Sequence, residues 1–141
     1  MKTTGGKGLH VVAPIVPEMN WPELKEFAHG FVNDMERDSP DRYLTKMTKA
    51  ARKGKIYLDY LRNDRGATSV APFSPRARTG ARVSLPLKWT DLKMKERPVF
   101  RVAEFEQWKR RVKTDPWKDM GTLKQRITVS ARKSIGLKGA A

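Results

Sequence analysis

Residues 20–40 read NWPELKEFAHGFVNDMERDSP, and this stretch predicts the longest helix of the chain. Asn20 and Glu23 have the spacing of a capping box, in which each side chain accepts a hydrogen bond from the other residue's backbone N–H. Pro22 suits the first helical turn, and the closing Ser-Pro pair stops the pattern. The apolar side chains form one stripe at helical spacing: Leu24, Phe27, Ala28, Phe31, Val32 and Met35.

Short apolar runs on either side of this helix predict strands. Leu9–Ala13 alternates as a strand does, and Ile56–Leu61 is rich in β-prone residues. Asp59 lies inside the second run, where a buried carboxylate is costly unless an arginine, backbone donors or a metal ion compensates for it. Arg62 and Arg65 are candidate partners for a salt bridge, and a hard-cation site is the alternative.

Two further helices are predicted from apolar spacing. Arg42–Lys53 gives a basic helix with a thin apolar stripe, and the second helix carries Phe105, Trp108 and Val112 on one face. Three tryptophans accompany apolar helical patterns, so we assign them to packing: Trp89, Trp108 and Trp117.

The composition favours a polyanionic partner. The 141 residues include 30 Lys and Arg against 15 Asp and Glu, a net charge of +15, and each basic group near a phosphate releases condensed counterions. The absence of cysteine excludes disulfides, thiolate metal sites and cysteine nucleophiles. We expect no signal peptide, no membrane-spanning segment and no membrane partner, which makes the cytoplasm and its nucleoid the default location.

A glycine-rich segment is the first candidate phosphate site. Gly5-Gly6-Lys7-Gly8 can present backbone N–H groups and an ammonium to phosphate oxygens, with Thr4 and His10 as further donors. A flexible turn is the simpler interpretation. A P-loop is excluded, because the Lys is not followed by Ser or Thr and a strand follows where a helix should.

A second candidate is a set of basic residues that could follow a nucleic-acid backbone or clamp a triphosphate: Lys46, Lys49, Arg52, Lys53 and Lys55, then Arg76, Arg78 and Arg82. The stretch from Arg42 to Lys55 contains no acid. Such a run is usually a solvated face, but the absence of acids favours contact with phosphates.

Three segments together resemble a known family: residues 3–10 (TTGGKGLH), 52–63 (RKGKIYLDYLRN) and 66–78 (GATSVAPFSPRAR). In this order and spacing they resemble the polymerase domain of bacterial DNA ligase D, in the archaeo-eukaryotic primase superfamily. The similarity covers roughly residues 2–120.

The resemblance implies an α+β fold, in which an antiparallel sheet with flanking helices forms part of a primase-type polymerase core. Residues 1–118 would be the C-terminal part of that domain, and residues 119–141 a basic tail with helical potential. The implied activity is nucleotide addition to DNA ends during non-homologous end joining. The implied partners are DNA ends, a nucleoside triphosphate, Ku and a ligase domain or chain.

The resemblance also implies roles for individual residues. Asp59 matches a catalytic, metal-binding carboxylate. Four residues match nucleotide-binding positions: Thr4, which stands where the family usually has Ser, His10, Arg62 and Arg76. Arg52 and Lys53 match a basic segment near the DNA.

One family motif is absent from these residues. The Asp-x-Asp pair that supplies two more metal carboxylates occurs nowhere in the chain and would lie upstream of Met1. We therefore expect Mn²⁺ or Mg²⁺ to bind only if those carboxylates are supplied, and the chain to be inactive alone. The alternative is a non-catalytic, basic nucleic-acid-binding module.

The resemblance also sets a geometric expectation for the nucleotide pocket. His10 and Asp59 should lie on neighbouring strands and on the same face of the sheet. Arg62 and Arg76 should converge on the Gly5–Gly8 turn.

Overall fold

The structure is a computed structural model that describes residues 1–93 and 98–138. The chain divides into two compact units. The first comprises Met1–Ile15 and Ser69–Lys124, and the second comprises Val16–Thr68 and the segment from Gln125 onward. No helix in the described ranges is long and apolar enough to cross a membrane.

The first unit is built on antiparallel pairing. Strands β1 (Lys2–Thr3) and β2 (Leu9–His10) pair with Lys2 opposite His10. Isolated antiparallel bridges join further segments: Lys2 to Pro86, Pro75 to Val83, and Arg82 to Arg101. Strand β2 is shorter than the Leu9–Ala13 strand that the alternation predicts, since Val11 and Val12 are exposed and have no pairing partner among the described strands.

The core of the first unit lies between these bridges and helix α2 (Phe105–Lys113). Val83, Leu85 and Trp108 are buried together, with Phe73 and Phe100 packed against them. The indole N–H of Trp108 donates to the Arg101 carbonyl at 2.8 Å. Helix α2 and the packing role of Trp108 are thus confirmed.

Trp89 does not share that role. It begins a short 3-10 helix, Trp89–Lys93, and is 66% exposed. Its assignment to packing is wrong, because the helix here is a single short 3-10 segment and leaves the indole exposed to solvent.

The second unit contains helix α1 (Trp21–Asp38), whose capping box is present as predicted. The Asn20 N–H donates to the Glu23 carboxylate at 2.8 Å, and the Glu23 N–H donates to the Asn20 side chain at 2.9 Å. Helix α3 (Val129–Ser134) belongs to the same unit. Its buried Arg132 donates to Glu26 of α1 at 2.8 Å.

Apolar residues after α3 also lie close to α1. A Cβ added at Gly30 would meet the side chains of Ile135 and Leu137 at 3.2 and 3.3 Å. The segment after Gln125 therefore packs on α1 where the helix has no side chain.

The predicted basic helix over Arg42–Lys53 is wrong. Residues Tyr43–Leu44 form strand β3, which pairs in parallel with β4 (Ile56–Tyr57), and only Lys49–Arg52 forms a 3-10 turn. Backbone groups that a helix would use internally bond across this pair: Ile56 N–H donates to the Arg42 carbonyl, and Leu58 N–H to that of Leu44. Strand pairing replaces the helix because the apolar stripe is thin.

Helices and short strands in separate segments confirm the α+β class. The pairing in the first unit is antiparallel, whereas β3 and β4 are parallel. The predicted strand Ile56–Leu61 ends at Tyr57, which leaves Asp59 outside any strand.

Arg111 of α2 is bound to Asp91 through two hydrogen bonds of 2.9 and 3.2 Å. These bonds, together with one from the Lys88 N–H, hold the pKa of Asp91 below its usual value despite partial burial. We expect Asp91→Asn to lower the free energy of unfolding by about 1 kcal/mol at neutral pH, the order expected for a hydrogen-bonded charged pair near the surface.

A lowered pKa in the folded state contributes stability above the ordinary aspartate pKa of about 4, and this contribution is lost as the pH falls through the folded-state value. Denaturant melts of wild type and Asp91→Asn should therefore differ at neutral pH and converge in acid. Asp119→Asn is the control, since Asp119 forms no ion pair within the described residues. A difference that persisted unchanged in acid would contradict this account.

Candidate functional site

The glycine-rich turn connects β1 to β2 in the first unit. The Thr4 hydroxyl accepts a hydrogen bond from Gly6 N–H at 3.1 Å and donates one to the Gly8 carbonyl at 2.9 Å. Gly5 has a φ of +63°, in the left-handed region that favours glycine. Thr4 thus shapes the turn through its hydroxyl.

Arg76 lies against this turn. Its guanidinium donates to the Thr4 carbonyl at 3.3 Å. A Cβ at Gly5 would come within 3.0 Å of the Arg76 side chain and 2.9 Å of the Arg82 carbonyl, so only glycine leaves room for this approach. The expectation that Arg76 converges on the turn is confirmed, and its role as a phosphate ligand stays a prediction.

Arg78, one of the basic residues that the sequence suggests as phosphate contacts, reaches the same turn. One of its terminal nitrogens lies 3.9 Å from the Cβ position of Gly6, and an Arg76 nitrogen lies 3.4 Å from it. The Arg-Ala-Arg spacing of Arg76 and Arg78 places alternate side chains on one side of an extended segment. Two guanidinium groups therefore border the backbone at Gly6.

His10 follows the turn on β2. Its Nδ1 lies 3.2 Å from the Ser69 hydroxyl, in hydrogen-bonding range. The imidazole is thereby held against the segment that leads to Arg76. Thr4, His10 and Arg76 thus all belong to the first unit and surround one turn.

Asp59 lies in the second unit and is exposed. Its carboxylate accepts a hydrogen bond from the Leu61 N–H at 3.1 Å and forms no ion pair within the described part of the chain. The expectation of a buried carboxylate paired with Arg62 or Arg65 is wrong. Because β4 ends at Tyr57, Asp59 lies in an exposed segment after the strand, where its side chain binds the backbone two residues on.

Three of the predicted site residues line one groove in the second unit: Arg52, Asp59 and Arg62. The Arg52 guanidinium stacks on the Tyr57 ring at 4.0 Å and donates to the Met47 carbonyl. Burial, and then the charge of Asp59, raise the pKa of Tyr57. The groove therefore combines two guanidinium groups, one exposed carboxylate and one aromatic ring.

The other basic residues of this segment differ from Arg52. Lys53 is exposed and does not line the groove, and Arg62 donates to the Thr68 carbonyl. The Arg52 Nε is buried and without a hydrogen-bond partner in the described residues. Arg52 is thus held in place by stacking and by one carbonyl.

The expected pairing of the His10 and Asp59 strands is not observed. Strand β2 pairs with β1, and β4, which precedes Asp59, pairs with β3. The early end of β4 and its parallel partner account for the difference. Within the described residues no three His, Cys, Asp or Glu side chains form a group that could hold a metal ion.

Comparison with known proteins identifies the family. The family model for the LigD primase-polymerase domain matches residues 1–117. The chain belongs to this family. It is 35% identical over 145 residues to the multifunctional non-homologous end joining protein LigD of Pseudomonas aeruginosa, covering 96% of this chain and 16% of that protein.

A LigD protein of Mycobacterium tuberculosis, named as a multifunctional non-homologous end joining DNA repair protein, is 29% identical over 129 residues, covering 92% of this chain and 16% of its own length. Among solved structures, the polymerase domain of M. tuberculosis ligase D in complex with DNA has a TM-score of 0.76 at 25% identity, covering 88% of this chain and 43% of that chain. The chain thus spans about a sixth of these LigD proteins.

Proposed function

We propose that this chain provides nucleotide-phosphate and DNA contacts of a LigD-type polymerase, which adds nucleotides to DNA ends during non-homologous end joining. One observation carries the proposal: Arg76 lies against the glycine-rich turn, with Thr4 and His10 beside it. The LigD relatives, named as end-joining proteins, and the DNA-bound structural neighbour support it.

In this proposal the turn binds the triphosphate of the incoming nucleotide. Phosphate oxygens accept hydrogen bonds from backbone N–H groups and, more strongly, from guanidinium groups. Arg76 and Arg78 border the turn and supply such groups, and His10 adds an imidazole donor. The family resemblance, rather than any contact in the structure, makes Arg62 a further proposed nucleotide ligand.

The DNA contact is assigned to the basic segment that contains Arg52 and Lys53. Lys46, Lys49 and Lys53 are exposed, and no acid lies between Arg42 and Lys55. Exposed lysines neutralise backbone phosphates without reading sequence. Arg52, fixed on the Tyr57 ring, is the more rigid contact of this segment.

The reaction proposed for the complete polymerase is attack of a DNA 3′-hydroxyl on the nucleotide α-phosphate. Metal ions, Mn²⁺ or Mg²⁺, neutralise charge in two-metal transfer of this kind. Asp59 is the one carboxylate in its groove, so the described residues do not by themselves fit a two-metal site. We propose that these 141 residues alone catalyse no transfer.

The proposed setting follows from the same family. DNA ends and a nucleoside triphosphate are the ligands, and Ku and a ligase domain or chain are the protein partners. The proposed location is the cytoplasm, at the nucleoid.

The nucleotide site is tested by titrating ATP into the protein in a calorimeter. We expect Arg76→Ala to weaken binding by about tenfold or more, as expected for lost hydrogen bonds between charged groups. The ATP affinity of Arg76→Lys should lie between those of wild type and Arg76→Ala, since lysine keeps the positive charge but lacks the planar pair of guanidinium donors. Arg37→Ala, an equal loss of charge on α1, is the control; equal affinity of all four proteins would refute the site.

Catalysis by the chain alone is tested by primer extension with Mn²⁺ and labelled ribonucleotides. We expect no extension, because two metals need more than the Asp59 carboxylate. Template-dependent extension that Asp59→Ala abolishes would overturn the proposal of inactivity.

A non-catalytic nucleic-acid-binding module is the second candidate, favoured by the net charge of +15 and the single groove carboxylate. Fluorescence anisotropy with two unrelated duplexes should show affinity that falls steeply with salt and is indifferent to sequence. Lys53→Gln should reduce the salt slope by about one. Salt-independent affinity would exclude this mode, and DNA binding without ATP binding would favour the second candidate over the first.

A further inference from the structure

Lys2 is a buried lysine that the proposed function does not use. It is 3% exposed, and its Nζ donates to the Val70 carbonyl at 2.6 Å and to the Ser84 hydroxyl at 3.0 Å. No carboxylate pairs with it within the described residues. Burying an ammonium without a counter-ion is costly, so its contacts must be specific.

Lys2 and His10 act on the same segment. They are directly opposite on the antiparallel pair β1–β2, which places their side chains on one face. His10 meets the Ser69 hydroxyl, and Lys2 binds the carbonyl of the next residue, Val70. This cross-strand pair therefore holds two consecutive residues at the start of the segment that leads to Arg76.

Ser84 extends this connection toward Arg76. It is completely buried, accepts from Lys2 and donates to the Thr3 carbonyl at 2.7 Å. Its backbone forms two hydrogen bonds with the segment that leads to Arg76: the Ser84 carbonyl accepts from the Phe73 N–H, and the Ser84 N–H donates to the Ser74 carbonyl. Lys2 thus reaches the segment from Ser69 to Arg76 near both of its ends.

We infer that Lys2 is a positioning residue of the phosphate site, which holds His10 and the Arg76 segment against the glycine-rich turn. The role in nucleotide binding rests on the proposed function. No sequence pattern indicates this role, because lysine is rarely fully buried.

The charge of Lys2 supports this placement. Burial, and then the charge of Arg76, lower the pKa of Lys2. Because like charges disfavour each other, an anion bound at Arg76 would favour the charged form of Lys2.

The test uses the imidazole NMR signals of the full chain. There are two histidines, and His29, stacked on Tyr60 in the second unit at 4.2 Å, is an internal reference. We expect Lys2→Met to shift the His10 ring signals and leave those of His29 in place, and to weaken ATP binding by about tenfold. Lys88→Met, an exposed site with the same loss of charge, should change neither.

A double-mutant cycle separates positioning from general stability. If Lys2 acts through His10, Lys2→Met should weaken ATP binding less on a His10→Ala background than on wild type. Lys2→Gln, which keeps N–H donors, replaces Lys2→Met if the His29 signals show that the methionine variant unfolds, and is expected to shift His10 less.

The outcomes are distinct. Unchanged His10 signals in the folded Lys2 variants would overturn the inference. The Lys2 variants could shift the His10 signals while the wild-type protein binds no ATP. That result would establish that Lys2 positions His10 and would refute the proposed function. Additive effects in the cycle would overturn coupling through His10.

Discussion

Docking of β1 onto residues 83–85 is the interaction on which the first unit depends. The Thr3 N–H donates to the Leu85 carbonyl at 2.9 Å, and the Thr3 hydroxyl bridges the Val83 carbonyl and the Leu85 N–H. Both partners belong to the buried core with Trp108. Because the glycine-rich turn follows β1 directly, its position relative to the Arg76 segment is determined by these bonds.

These bonds hold the glycine-rich turn in a defined position next to Arg76. Thr3, which leads into the turn, is bound to the core, and Arg76 lies against the turn where a Cβ at Gly5 would clash with it. Preorganised donors bind anions without a further ordering cost. The groove around Asp59 is different, since its carboxylate is exposed and its charged neighbours hold backbone carbonyls.

Sequence reasoning succeeded where the determinants are local. The capping box at Asn20 and the stripe of α2 lie within a few residues and appear as predicted, and the motifs indicated the family that the comparison then showed. It failed where partners are distant. The predicted Arg42–Lys53 helix is replaced by the short strand β3 and a 3-10 turn, because the N–H groups of Ile56 and Leu58 bind carbonyls at either end of β3. The role of Lys2 escaped notice because its partner Ser84 is distant in sequence.

The packing of α3 on α1 has a consequence for how fragments of this protein are designed. The family match ends at residue 117, yet Glu26 is paired with Arg132, and Gly30 is covered by Ile135 and Leu137. A fragment cut at the family boundary would expose this face of the longest helix and leave it prone to self-association. The match to the family therefore ends before the segment that packs against α1.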